Sequence, residues 1–178
     1  IPDCGAGEAG HTWCHTNMSR FAFVDTFESF RPHIGGPLSL SRYDYWLHSF
    51  KYLRAMANCS HLWGMLYAAT QNASSLSAGS ARQNAIERVV LPARIQLVAA
   101  AEDMVHHLHQ TVSTTGEMGT IANLQQHTFP SMLDDSLAAI EALVAPGTVP
   151  RWAPPWVLGR RIQITVPKRA GAATPRPE

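Results

Sequence analysis

Proline and glycine divide the sequence into segments within which apolar residues recur at the spacing of an α-helix. This pattern predicts helices over residues 42–69, 81–90 and 131–145, and another that starts at residue 93. The breaks between them include Pro92, which lacks a backbone donor, and a Ser/Ala/Gly linker. A chain of 178 residues, 46% of them apolar, can bury one core. The sequence therefore predicts a mainly α fold in which three or four helices pack as a bundle.

The apolar spacing also predicts which face of each long helix is buried. In the first helix the predicted stripe contains Trp46, Phe50, Leu53, Ala57, Leu62, Leu66 and Ala69. After Pro92 it contains Ile95, Val98, Val105, Leu108 and Val112, and in residues 131–145 it contains Leu133, Leu137, Ile140 and Val144. The first helix has more aromatic residues than one stripe needs, so either they flank the core or they form a surface that stacks on sugars. The core interpretation is favoured.

Two short segments alternate apolar and polar residues, as half-buried strands do. Residues 20–25 place Phe21 and Phe23 on one face, and residues 161–166 alternate throughout. We expect the two segments to pair as a small β element beside the bundle. The predicted organisation is an irregular N-terminal arm, a helical domain with terminal strands and a flexible tail, at residues 1–19, 20–167 and 168–178.

Three Asn-x-Ser sequons lie in the first half of the chain, which favours a secreted glycoprotein. Because glycans need exposed attachment points, we expect Asn17, Asn58 and Asn72 on the surface. The first residue is Ile1 rather than methionine, so we expect a mature or processed chain, or a fragment. No apolar run reaches the roughly 18 residues of a membrane-spanning helix.

The chain has three cysteines, so one thiol remains if the other two form a disulfide. In an oxidising compartment Cys4 and Cys14 can form a disulfide that holds the N-terminal arm. Cys59 is then either a buried thiol or a bridge to another chain, and its pairing with Cys4 or Cys14 stays open. His11 and His15 accompany the first two cysteines, but their spacing matches no standard zinc site.

The charge of the chain gives no indication of a nucleic-acid partner. The formal net charge is +1, although residues 151–178 contain six basic residues and one acidic residue. No phosphate-binding loop, dinucleotide fingerprint or Gly-x-Ser-x-Gly motif is present, and no cofactor is predicted. Glu28, Asp44 and Glu117 lie near aromatic residues or glycines, but nothing in the sequence sets two of them at the separation of a glycosidase pair.

One helical segment combines a carboxylate with imidazoles. At 100° per residue, Glu102, His106 and His109 lie on or beside the predicted apolar face, whereas His107 points away. Such residues can bind a metal in a bundle core. Di-metal bundles, however, carry Glu-x-x-His on two helices, and this chain has Glu-x-x-x-His once. A buried, hydrogen-bonded pair that fixes helix register is the favoured interpretation.

Two stretches match the motifs of a known family. Residues 42–56 read RYDYWLHSFKYLRAM, and residues 111–123 read TVSTTGEMGTIAN and are followed by His127. Both resemble the C-terminal region of secreted agarase-like glycoside hydrolases, in which these motifs follow a catalytic barrel. Residues 161–167 are similar to the family's terminal strand. Thr115 stands where the family often has proline, and the family's catalytic portion is not part of this sequence.

The resemblance implies an accessory C-terminal chain or domain of a glycoside hydrolase that acts on polysaccharide, without a complete catalytic site of its own. A catalytic partner chain is then expected. Glu117 and His127 are the best candidates for a shared site, although a cap of a turn or helix is the preferred role for Glu117. The alternatives are a structural or interaction subunit of an extracellular glycoprotein assembly and a metal-binding helical protein.

Overall fold

The structure, a computed structural model, describes residues 17–144, and its regular elements there are all helical. The α-helices are α1 (Phe23–Ser29), α2 (Pro37–Ser75), α3 (Ser80–Ala85), α4 (Leu91–Thr111), α5 (Met118–Asn123) and α6 (Ser136–Leu143). Short 3₁₀ turns at Met18–Phe21 and Arg31–His33 precede α1 and α2. π-helical segments at Ile86–Val90, Leu124–Thr128 and Pro130–Asp135 join α3 to α4 and α5 to α6. The predicted mainly α bundle is confirmed.

Helix α2 is the element on which most of the others pack. Gly36 adopts a φ of 81° that turns the chain into Pro37, whose missing N–H costs nothing in the first turn. With 39 residues, α2 is about 58 Å long. It contacts α1, α3, α4 and α6, most extensively α4, and α5 packs on α4. No helix within residues 17–144, α2 included, has the length of apolar sequence that a membrane crossing requires.

Small residues line the interface between α2 and α4. Ala55, Cys59 and Ala73 of α2 are buried, as are Ala100 and Ala101 of α4. Short side chains allow two helix axes to approach closely. Larger side chains fill the core on either side of this contact; the fully buried ones include Leu66, Leu97, Met104 and Met132. The α2–α4 interface is thus the centre of the core.

Pro92 lies within a continuous helical path, where the sequence predicts a break or a kink. The π-helical segment Ile86–Val90 precedes it, and the amide of Leu91 donates to the carbonyl of Ile86 five residues earlier. A wider turn of this kind accommodates the hydrogen bond that proline cannot donate. The path therefore runs from α3 through Pro92 into α4.

The predicted N-terminal strand is wrong. Residues 20–25 lie in the 3₁₀ turn Met18–Phe21 and in α1. Phe23 and Phe27, four residues apart on α1, both pack edge-on against Phe50, with ring centroids 5.3 and 5.4 Å away. That spacing is helical, whereas residues two apart, such as Phe21 and Phe23, do not share a helix face as the predicted strand required. The partner strand predicted at residues 161–166, the tail and most of the N-terminal arm lie outside the described residues.

The predicted buried faces are only partly correct. In α2 Leu66 is buried as expected, but Trp46 is 55% exposed. In α4 the buried face includes the small residues Ala100 and Ala101. Its centre therefore lies about 50° around the helix axis from the centre of the predicted face. The last predicted helix, residues 131–145, continues a helical path that begins earlier, at Met118. Its Leu133, Leu137 and Ile140 are buried as expected, whereas Val144 is half-buried.

Arg94 is a buried cation that the sequence pattern does not reveal. It is 3% exposed on α4, and its Nη1 donates to Ser136 Oγ of α6 over 3.1 Å. Ser136 Oγ in turn donates to the carbonyl of Met132. Burial lowers the pKa of Arg94. The hydrogen bond ties α6 to α4 at the edge of the core.

Truncation of a core leucine tests this packing. Leu97→Ala removes a fully buried side chain and should lower the free energy of unfolding by about 2–5 kcal/mol. Leu38→Ala is the matched control, because Leu38 is 78% exposed and its loss should cost less than about 0.5 kcal/mol. Urea denaturation measures both, and equal costs for the two variants would contradict the described core.

Candidate functional site

Glu117 lies in the turn that leads into α5, where one oxygen of its carboxylate accepts three hydrogen bonds. Glu117 Oε2 accepts hydrogen bonds from the amides of Ser113 (2.6 Å) and Thr114 (2.8 Å) and from Ser113 Oγ (2.8 Å). In return, the amide of Glu117 donates to Thr114 Oγ1 over 3.4 Å. This reciprocal pair has the Thr-x-x-Glu pattern of a capping box.

These hydrogen bonds determine the chemistry of Glu117. The donors from Ser113 and Thr114 lower the pKa of its carboxyl to about 2. A group of such low pKa holds no proton near neutral pH, so it cannot serve as a general acid there. Glu117 therefore orders a turn. His127, the other candidate for a shared site, is exposed on the π-helical segment Leu124–Thr128.

Ion pairs hold α1 and the turn after it against α2. Arg31 donates two parallel hydrogen bonds to Asp44, from Nε to Oδ1 over 2.7 Å and from Nη2 to Oδ2 over 2.9 Å. This contact lowers the pKa of Asp44. Two further pairs, Lys51–Glu28 at 2.5 Å and Arg54–Asp25 at 2.6 Å, connect α2 to α1. Of the acids that the sequence singles out, Glu28 and Asp44 thus both have basic partners.

Aromatic rings from α1 and α2 form a continuous surface beside these ion pairs. Phe50 is in ring contact with Phe23 and, at 6.1 Å, with Trp46, and Trp46 meets Tyr45 edge-on at 5.5 Å. Phe23, Tyr45 and Trp46 are 48%, 42% and 55% exposed. We call Phe23, Tyr45, Trp46 and Phe50 the aromatic face. It is an apolar surface on a rigid support, suited to contact with another molecule.

Contacts of Phe27 with Tyr43 and Phe50 hold the aromatic face in place. Tyr43 stacks on Phe27 with ring centroids 4.5 Å apart and planes 8° from parallel, and its hydroxyl donates to the carbonyl of Phe27. Phe27 also packs against Phe50. Because Phe27 is part of α1 and Tyr43 of α2, this stack positions the two helices whose rings make the surface.

The three residues suggested for metal binding are not brought together in the core. Glu102 and His106 are exposed and His109 is half-buried. Within residues 17–144, no group of three or more His, Cys, Asp or Glu residues has a geometry that could hold a metal ion. The rotation of the buried face of α4 explains this outcome, since it turns Glu102 outward and His107 inward.

His107, predicted to point away, faces α2 instead. Its Nδ1 lies 3.0 Å from Nδ1 of His48, and its Nε2 lies 3.4 Å from Oδ1 of Asp103. Both histidines are half-buried, and burial lowers the pKa of each. His48 and His107 are 59 positions apart in sequence, so no local pattern could have revealed the contact.

The sequons and the odd cysteine are placed as follows. Asn17 and Asn72 are exposed, whereas Asn58 is half-buried on α2. Cys59 is a free thiol, 3% exposed, and burial raises its pKa to about 12. Such burial favours the core thiol over a bridge to another chain. The predicted disulfide Cys4–Cys14 and the neighbouring histidines lie outside the described residues.

Comparisons with protein-family models, with curated proteins and with solved structures give no match to this chain.

Removal of the Glu117 carboxylate tests its role in the turn. Glu117→Gln should accelerate hydrogen exchange at the amides of Ser113 and Thr114 and lower the melting temperature, because the charged acceptor is lost. Glu102→Gln, an exposed change on α4, is the control and should leave both unchanged. Unaltered exchange in Glu117→Gln would show that the carboxylate does not order the turn.

The same interaction predicts acid sensitivity. The carboxyl has a lower pKa in the folded chain than its ordinary 4.5, so its contribution is complete above about pH 4.5 and is lost as pH falls toward 2.

The reactivity of Cys59 tests its burial. The native thiol should react with Ellman's reagent at least about 100-fold more slowly than in guanidinium, because it is inaccessible and protonated. The difference between the wild type and Cys59→Ala isolates this thiol from Cys4 and Cys14. Rapid reaction in the native protein would instead support an accessible sulfur that can bridge to another chain.

Proposed function

We propose that this chain is an accessory, non-catalytic part of a secreted agarase-like glycoside hydrolase, and that its aromatic face holds polysaccharide near a catalytic partner chain. The aromatic face is the observation on which the proposal rests, because it sets exposed indole and phenol rings on helices fixed by ion pairs. The motifs at residues 42–56 and 111–123 provide the link to the family. Residues 42–56 include Tyr45, Trp46 and Phe50, which are three of the four residues of the aromatic face.

The roles of the acidic side chains support a non-catalytic part. Glycoside hydrolysis needs one carboxylic acid and one carboxylate across a sugar site. Glu117 is committed to the turn before α5, Asp44 to Arg31 and Glu28 to Lys51. Each therefore has a hydrogen-bonding or ion-pair partner within the fold.

The exposed rings suit a carbohydrate partner. Sugar rings present C–H faces that pack on aromatic side chains, and hydroxyls that need polar partners alongside. Next to the aromatic face the ion pairs Arg31–Asp44 and Arg54–Asp25 provide both donors and acceptors, and they are at least partly exposed. Asn17 and Asn72 are exposed, as a glycosylated extracellular chain would require.

The rival proposal is a structural subunit of an extracellular assembly, in which the same aromatic face contacts protein. Trp, Tyr and Phe are also common at protein interfaces. The two functions differ in what the isolated chain retains: a carbohydrate-binding surface works without a partner chain, whereas an interface does not.

Substitution of Trp46 tests the proposal. Trp46→Ala should weaken retention of the chain in affinity electrophoresis through agar-type galactan by about tenfold, since the indole provides the most exposed ring of the face. Met65→Ala is the control, because Met65 is 50% exposed on α2 but lies about 28 Å further along the helix.

Retention that is equal in Trp46→Ala and the wild type, or absent from both, would contradict carbohydrate binding by this face. If neither protein is retained but Trp46→Ala fails to join a native complex that the wild type joins, the interaction subunit is the better account.

A further inference from the structure

The contact between His48 and His107 joins α2 to α4 near the end of their interface. The two Nδ1 atoms are 3.0 Å apart, which is a hydrogen-bond distance. An imidazole nitrogen can donate only with a proton and accept only without one. The contact therefore forms when one of the facing nitrogens is protonated and the other is not.

The neighbouring carboxylate selects the arrangement of protons. Asp103 lies one helical turn before His107, and its Oδ1 is 3.4 Å from Nε2 of that ring. A carboxylate in this position favours the tautomer with hydrogen on Nε2. Nδ1 of His107 is then the acceptor, and His48 donates its Nδ1–H. This arrangement needs no positive charge on either ring.

A second proton on the pair destroys the contact. With both rings as imidazolium, hydrogen atoms and positive charges oppose each other across 3.0 Å. Burial of the two rings adds to this cost, because a half-buried charge loses part of its hydration. The pair thus has a bonded state with at most one charge and a repulsive state with two.

Charged groups from three helices face the pair. Glu28 of α1 and Asp44 of α2 are negative but are already paired with Lys51 and Arg31, and Lys51 adds positive charge next to His48. On α4, Asp103 favours protonation of His107, whereas His106 opposes protonation of both rings.

The ring of His106 lies 5.1 Å from that of His107 and 6.3 Å from that of His48. Asp103 is the one carboxylate among these groups without a basic partner other than histidine.

We propose that His48 and His107 form a pH-sensitive latch, which holds the end of α4 against α2 near neutral pH and releases it when both rings are protonated. The released segment is the last two turns of α4 with the Glu117 turn that follows. The anchor on α2, His48, lies between Trp46 and Phe50 in sequence, but at 100° per residue it is on the other side of the helix from both. This inference stands independently of the proposed function.

The direction of the pH effect follows from the two rings. Each has a lower pKa in the folded chain than its ordinary 6.5, so the open or unfolded chain binds more protons as pH falls below that value. The latch is complete above about pH 6.5 and is lost as pH falls through the folded values. If opening binds one extra proton, the equilibrium constant for opening increases about tenfold for each unit by which the pH falls. If it binds two, the increase is about 100-fold for each unit.

Hydrogen exchange of α4 between pH 7.5 and 5, corrected for intrinsic rates, measures the opening. In the wild type, protection over residues 103–110 should fall by at least tenfold across this range. In the double variant His48→Gln/His107→Gln, which keeps an amide pair but cannot titrate, the fall should be less than threefold. His109→Gln, a change on the same helix outside the contact, should behave as the wild type.

Two results overturn the latch: protection that is independent of pH in the wild type, or an equal fall in the wild type and the double variant. Imidazole ¹⁵N spectra of the wild type provide a test that needs no variant. They should show His48 and His107 as neutral, hydrogen-bonded tautomers at pH 7 that titrate below 6.5, and titration of both at or above 6.5 overturns the proposal.

Discussion

The close approach of α2 and α4 fixes the arrangement of the other helices. Alanine, cysteine and glycine on the facing sides bring the two backbones together, and long apolar side chains such as Leu66 and Met104 fill the space around that contact. Helix α1 packs on another part of the α2 surface, which carries Phe50, Lys51 and Arg54. The α2–α4 packing also sets the register that brings His48 opposite His107. The core and the histidine pair are therefore consequences of one interface, and the aromatic face results from the packing of α1 on α2.

Much of this architecture can be predicted from the sequence, because the period of the apolar residues is strong and proline and glycine mark the breaks. The faces are harder. The spacing of the large apolar residues does not include Ala100 and Ala101, yet these small residues define the buried side of α4. In α2 the spacing of the large apolar residues predicts that Trp46 is buried, whereas its indole packs on its aromatic neighbours and stays exposed. The misassigned strand at residues 20–25 has another cause, since six residues are too few to establish whether the apolar period is that of a strand or of a helix.

The site residues divide in a similar way. The Thr-x-x-Glu pattern that ends at Glu117 is local, so a structural role for this carboxylate can be read from the chain. The ion pairs of α1 with α2 and the contact of His48 with His107 join positions far apart in sequence, and only the packing of the helices brings them together. Together they describe a scaffold whose polar groups stabilise helix contacts, with an aromatic face left exposed. An accessory role beside a catalytic chain is consistent with that distribution.

The central claim is that this chain contributes binding and not bond cleavage. Release of reducing ends from agar-type galactan, measured with the purified chain alone, tests it most directly. The account predicts no release above the buffer blank, while the chain still associates with the polysaccharide. Reproducible release by the chain alone, abolished by substitution of one of its own acidic residues, would contradict the account.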